Sequence, residues 1–268
     1  MSYWKNKVAV ITGGSAGLGL AIASVLANKG ARLVLVARGA DALQEAANRL
    51  AEKSGAEVLA VPTDITDQAQ VDQLFQQTIE RFDRIDALFN CAGRSTRGEM
   101  KNTTAEEFAE AMELNFLGLV RCTHAALPSL LKSRGHVVNI GSLAAKSAST
   151  FLGAYPPSKF AVAAYSQQLR LELEPQGLKV LLVCPGPIAR SDAGSRYDKE
   201  ASDLPPEAAK PGGGVKLSGI DPMLLAKRIV SYAERGRSEL VSPARSRLLF
   251  AAAQLSPKLG DWIVRKMT

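Results

Sequence analysis

The sequence predicts an α/β fold, with a parallel sheet covered by helices on both faces. Short β-branched runs recur along the first half of the 268 residues, and each is followed by a segment of helical apolar period. That strict alternation is the pattern of parallel strands, whose connections cross over and lay helices on the sheet.

Residues 7–12 read as the first strand, and Leu18, Ile22, Val25 and Leu26 mark one face of the helix after it. Residues 32–37 are the second strand, followed by a helix over 40–53. The third strand spans 57–61, and Val71, Leu74, Phe75, Ile79 and Phe82 line the next helix, which Asp67 and Gln70 open as a variant capping box. After a fourth strand at 87–90, Thr104 and Glu107 form another capping box, opening a helix whose apolar stripe runs Phe108, Met112, Leu119. Asn115 falls on that stripe, and a buried amide left unpaired costs about 1–3 kcal/mol, so it needs partners. A helix brace is what the residues alone favour; a relay into an active site is the alternative. Residues 137–140 and 179–184 supply further strands, 221–235 a helix and 239–241 the last strand. The helix over 160–173 is apolar around much of its circumference, as buried helices are.

A chain of this length buries one substantial core, and a single domain over residues 1–268 is expected. A composition of 46% hydrophobic and 22% charged residues carries no sign of disorder. No apolar run approaches about 18 residues and the start lacks a secretory layout, so a soluble cytoplasmic protein is expected. Cys91, Cys122 and Cys184 are widely spaced without C-x-x-C, and His124 and His136 stand alone. Buried thiols are expected, with no disulfide framework and no metal site. The net charge of +7 suits nucleic acid or a phosphorylated cofactor, but scattered basic residues without interleaved aromatics argue against nucleic acid as a partner.

"TGGSAGLG" follows the first strand and opens the first helix, spacing Gly13, Gly17 and Gly19 as G-x3-G-x-G. Glycine allows tight turns and close approach, and a helix N-terminus offers free N–H groups to an anion, so this turn reads as a phosphate cradle. In dinucleotide folds an acidic residue about 20 positions on binds the adenosine ribose, whereas an arginine accommodates a 2′-phosphate. The second strand ends in Ala37 and Arg38 instead of an acid, which predicts NADP(H) in preference to NAD(H).

"GAYPPSKFAV" places Tyr155 and Lys159 four residues apart, neighbours on one face if a helix starts here. Pro156 and Pro157 permit this only within the first turn, where a missing N–H breaks no helical bond. Tyr155 is therefore expected at the helix start.

With "TGGSAGLG", "NCAG" at 90–93, Asn115, Ser142 in "NIGSLA" and Tyr155-x-x-x-Lys159 in order, the chain resembles the short-chain dehydrogenase/reductase family over roughly its first 190 residues. The resemblance implies a Rossmann-type doubly wound, mainly parallel seven-stranded sheet, and hydride transfer between a nicotinamide and an alcohol/carbonyl pair. It implies Tyr155 as general acid in reduction and base in oxidation, with the Lys159 ammonium lowering a tyrosine pKa that is ordinarily near 10. By the same resemblance, Ser142 bonds the reacting oxygen and Asn115 holds a water linked to Lys159, which displaces the brace. Lys159 and Tyr155 also meet the cofactor, with Ser15 and Leu18 in the glycine turn, Asp64 and Ile65 at the adenine, and Asn90, Ala92 and Gly93 on the floor. For Asp64 the competing local role is turn chemistry. Pro185, Gly186 and Ile188 in "PGPIAR" match the segment that meets the nicotinamide amide. Arg190 stands where threonine is common, with Ser191 as a candidate replacement for that hydroxyl.

Residues 189–219 hold serines, prolines and "PGGG" without period, as a substrate-covering loop does. Beyond Pro243, apolar Leu248, Leu249, Phe250, Leu255, Leu259, Trp262 and Ile263 recur among Arg245, Arg247, Lys258, Arg265 and Lys266, so 244–268 is expected to form an amphipathic helical extension. Its apolar stripe is expected against its own core or another subunit, with association at a membrane surface as the alternative. The tail loosely resembles the hydroxysteroid-dehydrogenase-like branch, which suggests an apolar, lipid-like or steroid-like substrate. The family pairs subunits through the helix over 160–173, so a homodimer or homotetramer is implied. A non-catalytic dinucleotide-binding regulator is the rival, but it needs the glycines and not the Ser142, Tyr155 and Lys159 set.

Overall fold

In a computed structural model, the chain is described over residues 2–190, 197–198, 200–215 and 217–267. Seven strands form one sheet: β1 Val8–Thr12, β2 Arg32–Ala37, β3 Val58–Pro62, β4 Ala87–Asn90, β5 His136–Ile140, β6 Lys179–Pro185 and β7 Glu239–Ser242. Every pairing is parallel, in the order β3-β2-β1-β4-β5-β6-β7. The expected seven-stranded Rossmann-type sheet is thus present, with strand ends within a residue of the sequence pattern.

Alternation along each strand divides the core in two, because successive side chains point to opposite faces. Ala9, Ile11, Leu33, Leu35 and Phe89 face one side, where α1 Gly17–Ala27, α2 Ala40–Ser54 and, much later in the chain, the helix Pro222–Glu234 cover them. Val8, Val10, Val34, Val36 and Leu88 face the other, under α3 Gln68–Phe82 and the helices Gly118–Ser133 and Tyr155–Leu173. Both faces are buried, which explains why the strands read as unbroken apolar runs. Each Val, Leu, Ile or Phe among them contributes about 1.5–3 kcal/mol on burial.

Three local expectations are corrected. On α3 the inner stripe takes Thr78, wholly buried with its hydroxyl donating to the Leu74 carbonyl at 2.8 Å, and leaves Ile79 exposed. Thr78 lies seven residues after Val71, almost in line with it, whereas Ile79 is a further 100° or so round the helix. The run from Thr104 winds as α4 Ala105–Met112, then a π-helical turn over Glu113–Leu117, then α5 Gly118–Ser133. α6, Tyr155–Leu173, is buried along one face only: Ser158, Lys159, Val162, Ser166 and Leu169 are inside while Phe160 and Leu171 are exposed.

The segment between β6 and β7 contains a short helix α7, Pro206–Ala209, a 3-10 turn at Pro211–Gly213 and then α8, Pro222–Glu234. Ser191 lies outside the described residues. The C-terminal stretch forms α9 Ser246–Leu255 and α10 Pro257–Met267. Among the described residues no helix is long and apolar enough to cross a membrane.

Candidate active site

The carboxyl ends of the strands enclose a cavity of about 540 Å³, at the crevice where the strand order reverses between β1 and β4. Its floor on the β1 side is the glycine turn, from which Gly13, Gly17, Leu18 and Gly19 line the cavity. Gly13 holds a positive φ of 66°, and a Cβ on Gly19 would stand 2.2 Å from the Gly13 carbonyl oxygen. Only glycine allows the turn to close this tightly. α1 has no side-chain cap and no acid in its first turn, so its free N–H groups and positive dipole end are left for an anion. The cradle therefore fits a dinucleotide's phosphates.

Arg38 leaves the end of β2 and lines the cavity, as do Asp64 and Ile65 after β3. The Asp64 carboxylate accepts from the Thr66 backbone N–H at 3.0 Å and from its hydroxyl at 2.8 Å, a turn. That backbone bond above all, then the hydroxyl and the Arg38 charge, hold it below the usual carboxylate range. The local turn role for Asp64 is thus real, and the residue still borders the cavity.

Ser142, Tyr155 and Lys159 line the same cavity with Ala92, Gly93, Pro185, Gly186 and Ile188. Tyr155 opens α6, with both prolines in the first turn and its N–H donating to the Leu152 carbonyl at 3.1 Å. As expected, the prolines occupy positions without helical donors. The Ser142 hydroxyl pulls the pKa of the Tyr155 hydroxyl downward, and its Oγ accepts from Ala144 N–H at 3.1 Å. Lys159 is buried, donates to the Ile140 carbonyl at 2.9 Å and stands 5.8 Å from the Tyr155 ring centre.

The expected lowering of Tyr155 by Lys159 is corrected. Burial pushes the Tyr155 hydroxyl up to about 12, against a smaller downward pull from Ser142. Burial also lowers Lys159 to about 8, weakening the cation that was to act on the phenol. Its ammonium is directed at a carbonyl, and desolvation outweighs distant charge.

Asn115 sits behind the cavity wall at the middle of the π turn. Its Oδ1 accepts from Arg94 N–H at 2.8 Å, and its Nδ2 donates to the Arg94 carbonyl at 2.9 Å and to Ser158 Oγ at 3.1 Å. Among protein groups it is the brace, tying the loop after β4 to α6. Asn90 does not reach the cavity: its Nδ2 donates to Thr123 Oγ1 at 3.1 Å and to Asn139 Oδ1 at 2.9 Å. It joins a buried polar ladder that continues from Asn139 to Ser166, and it shapes the floor only through the backbone beyond it. Ser15 is not among the lining residues either.

Other lining residues had no site role assigned from the sequence. Cys91, expected as a buried thiol, is partly exposed as a residue on the wall, while its sulfur is desolvated enough to push the thiol up to about 12. Tyr197, Leu249, Phe250 and Val264 close the cavity from the late segments. Arg190 lines it with a guanidinium nitrogen 3.5 Å from where a Gly17 Cβ would stand, which places a cation by the phosphate cradle. The departure from threonine was the only sequence signal for it.

The model of the short chain dehydrogenase family matches residues 7–201. Glycine betaine reductase of Emericella nidulans is 40% identical over 197 residues, 73% of this chain, and the match spans only 15% of that protein's length. L-sorbose reductase from Gluconobacter frateurii, solved with NADPH and L-sorbose, has 28% identity and a TM-score of 0.79, covering 90% of this chain and 97% of its own. A short chain dehydrogenase/reductase from Burkholderia phymatum, solved with NAD, has 25% identity and a TM-score of 0.83, covering 97% of this chain and 96% of its own.

Proposed function

This chain belongs to the short-chain dehydrogenase family, and from that premise we propose that it interconverts a carbonyl and an alcohol on an apolar, lipid-like or steroid-like molecule with NADP(H) in preference to NAD(H). The family makes it an oxidoreductase of CH–OH groups. The observation that carries the rest is the meeting of Ser142, Tyr155 and Lys159 in one cavity with the glycine cradle.

NADPH, when bound, supplies the hydride. Gly13, Gly17, Leu18 and Gly19 hold its phosphates, and Ala92, Gly93, Pro185, Gly186 and Ile188 shape the nicotinamide half. Tyr155 gives its hydroxyl proton to the carbonyl oxygen in reduction and takes it back in oxidation. Ser142 donates a hydrogen bond where negative charge develops on that oxygen, the interaction that favours the transition state over the ground state. Lys159 holds positive charge near the phenol, and Asn115 fixes the loop and helix that carry these groups.

For cofactor choice, Arg38 borders the cavity at the end of β2 where an acid is absent, and Arg190 adds a second guanidinium beside the cradle. The sorbose reductase binds NADPH and the Burkholderia protein binds NAD, so relatives use both. Apolar substrate chemistry is supported by Leu143, Leu152, Val215, Leu217, Leu249 and Phe250 on the wall. The chain acts as one unit over 1–268, with 189–219, of which 191–196, 199 and 216 lie outside the described residues, covering the substrate and 244–268 as an extension. It pairs through the outer face of α6, where Leu171 is 69% exposed; a monomer by light scattering counts against pairing. On the extension, Leu248, Leu255 and Trp262 are exposed beside basic residues, which supports contact with an anionic membrane surface; native protein that fails to float with anionic vesicles rejects it.

The test is a carbonyl and alcohol panel followed by NADPH absorbance, run beside Tyr155→Phe and Arg38→Asp. Loss of a general acid is expected to lower kcat about 10²–10⁴-fold. Arg38→Asp is expected to reverse the NADPH/NADH ratio. Intact turnover by Tyr155→Phe rejects the tyrosine assignment, and a native preference for NADH rejects the cofactor choice.

A further inference from the structure

The guanidinium of Arg97 is buried although no motif marks it, and it is only 5% exposed. A buried cation is tolerated when its donors are met, and here they are met from two separate stretches of chain. Nη1 donates to Ser95 Oγ and to the Thr96 carbonyl, both at 2.8 Å, within the loop after β4. Nε donates to the Ala208 carbonyl at 2.6 Å and Nη2 to the Lys210 carbonyl at 3.1 Å, at the end of α7. The Arg97 Cζ lies over the Tyr197 ring, 3.6 Å from the ring centre. Glu200 accepts from the Arg97 N–H at 3.2 Å and pairs with Arg94.

The same loop is fastened on its other side to the chain that starts α6. Thr96 Oγ1 donates to the Leu152 carbonyl at 2.9 Å, and Gly98 exchanges backbone bonds with Phe151 and Gly153, two to four residues before Tyr155. Residues 94–98 thus lie between the Tyr155 helix start and the segment that carries Tyr197, and Arg97 makes the second connection.

We propose that Arg97 is a specificity-determining positioning residue, which locks Tyr197 and residues 200–210 to the loop beside Tyr155 so that Tyr197 forms a fixed part of the wall the substrate meets. This rests on the reading that the cavity takes the carbonyl substrate. Tyr197 lines the cavity and Arg97 does not, so Arg97 acts through the tyrosine. A lysine cannot replace it, because one ammonium has no planar fork to span two carbonyls while stacking on a ring. Arg97 also has an electrostatic consequence. Burial raises Tyr155 most, but the Arg97 cation pulls it down and the Tyr197 phenol pushes it up.

The experiment compares Arg97→Lys, Arg97→Gln and Tyr197→Ala with the native protein, using NADPH and 9,10-phenanthrenequinone as the carbonyl probe. Arg97→Lys and Tyr197→Ala are expected to raise KM about tenfold or more, with kcat changed by roughly threefold at most. NADPH affinity by fluorescence is expected to stay within about twofold. Arg97→Gln is expected to raise KM as Arg97→Lys does, with NADPH affinity again kept. Amide exchange of residues 200–210 in Arg97→Lys is expected to accelerate about tenfold or more. Native KM and native exchange in both Arg97→Lys and Tyr197→Ala overturn the proposal. A parallel fall in NADPH affinity also overturns it, since Arg97 would then serve the whole fold. If an Arg97 variant does not fold, Tyr197→Ala, on the half-buried partner, still decides. A native protein that leaves the quinone unreduced counts against the proposed reaction, whereas the exchange measurement judges the latch by itself.

Discussion

Gly19→Ala tests the phosphate cradle through a single methyl group. The added Cβ would lie 2.2 Å from the Gly13 carbonyl oxygen, where ordinary contact begins at 3.4 Å. The overlap is 3.4 − 2.2 = 1.2 Å, so either Gly13 or the start of α1 has to move by about that much. Gly13 has little room to retreat: its own Cβ position is 3.0 Å from Ala92 N, and Thr12 Oγ1 accepts from Cys91 and Ala92 N–H at 3.0 and 3.1 Å. A shift of the helix start therefore carries its free N–H groups away from the phosphate. One hydrogen bond to a charged group contributes about 1.5–3 kcal/mol, which corresponds to a loss of roughly ten- to hundredfold in NADPH affinity. Overpacking also costs about 1–3 kcal/mol of stability, a fall of several degrees in Tm. Fluorescence titration with NADPH measures the first and calorimetry the second. Gly39→Ala is the control, because nothing stands within 4 Å of a Cβ there. NADPH binding by folded Gly19→Ala within twofold or so of native refutes the cradle.

A phenol held up to about 12 needs strongly alkaline conditions to act as a base. In alcohol oxidation kcat/KM is expected to climb about tenfold per pH unit without levelling below about pH 10; a plateau near neutrality would show that the Lys159 cation prevails after all. A second prediction concerns His136, whose ring nitrogen lies 2.6 Å from the Tyr3 hydroxyl and which burial lowers to about 3 from 6.5. Between those two values the unfolded chain binds the extra proton, so this contribution is full above pH 6.5 and is lost as pH falls toward 3, by up to about 1.4 kcal/mol per unit. Urea unfolding at pH 7 and 4.5 reads the slope, and His136→Gln is expected to flatten it; an equal slope in the variant rejects the assignment.

Strand and helix positions were legible because both faces of the sheet are buried, leaving apolar runs too regular to mistake for loops. The glycine turn was legible because close backbone approach demands glycine at fixed spacing between a strand and a helix. Asn90 was not: its place in "NCAG" shows that the turn matters, but whether its amide points at a cavity or at Asn139 depends on β5, brought beside it by the fold. Asn115 was half legible. Its position on an inner stripe required partners, yet those it finds from within the π turn, Arg94 and Ser158, lie far away in sequence.

Composition, period and motif by themselves determined the parallel α/β fold, the phosphate-binding turn and the helix that begins at Tyr155, since each rests on local backbone preference or on spacing along one element. Tertiary structure alone decided the rest. Desolvation, which no short stretch of chain reveals, raises Tyr155 and weakens Lys159 as a cation. Arg97, Arg190, Tyr197 and Phe250 acquire their places only when loops and helices remote in the chain close over one crevice. Burial and long-range proximity are properties of the folded chain, and they govern both the acidity of the site and the shape of its wall.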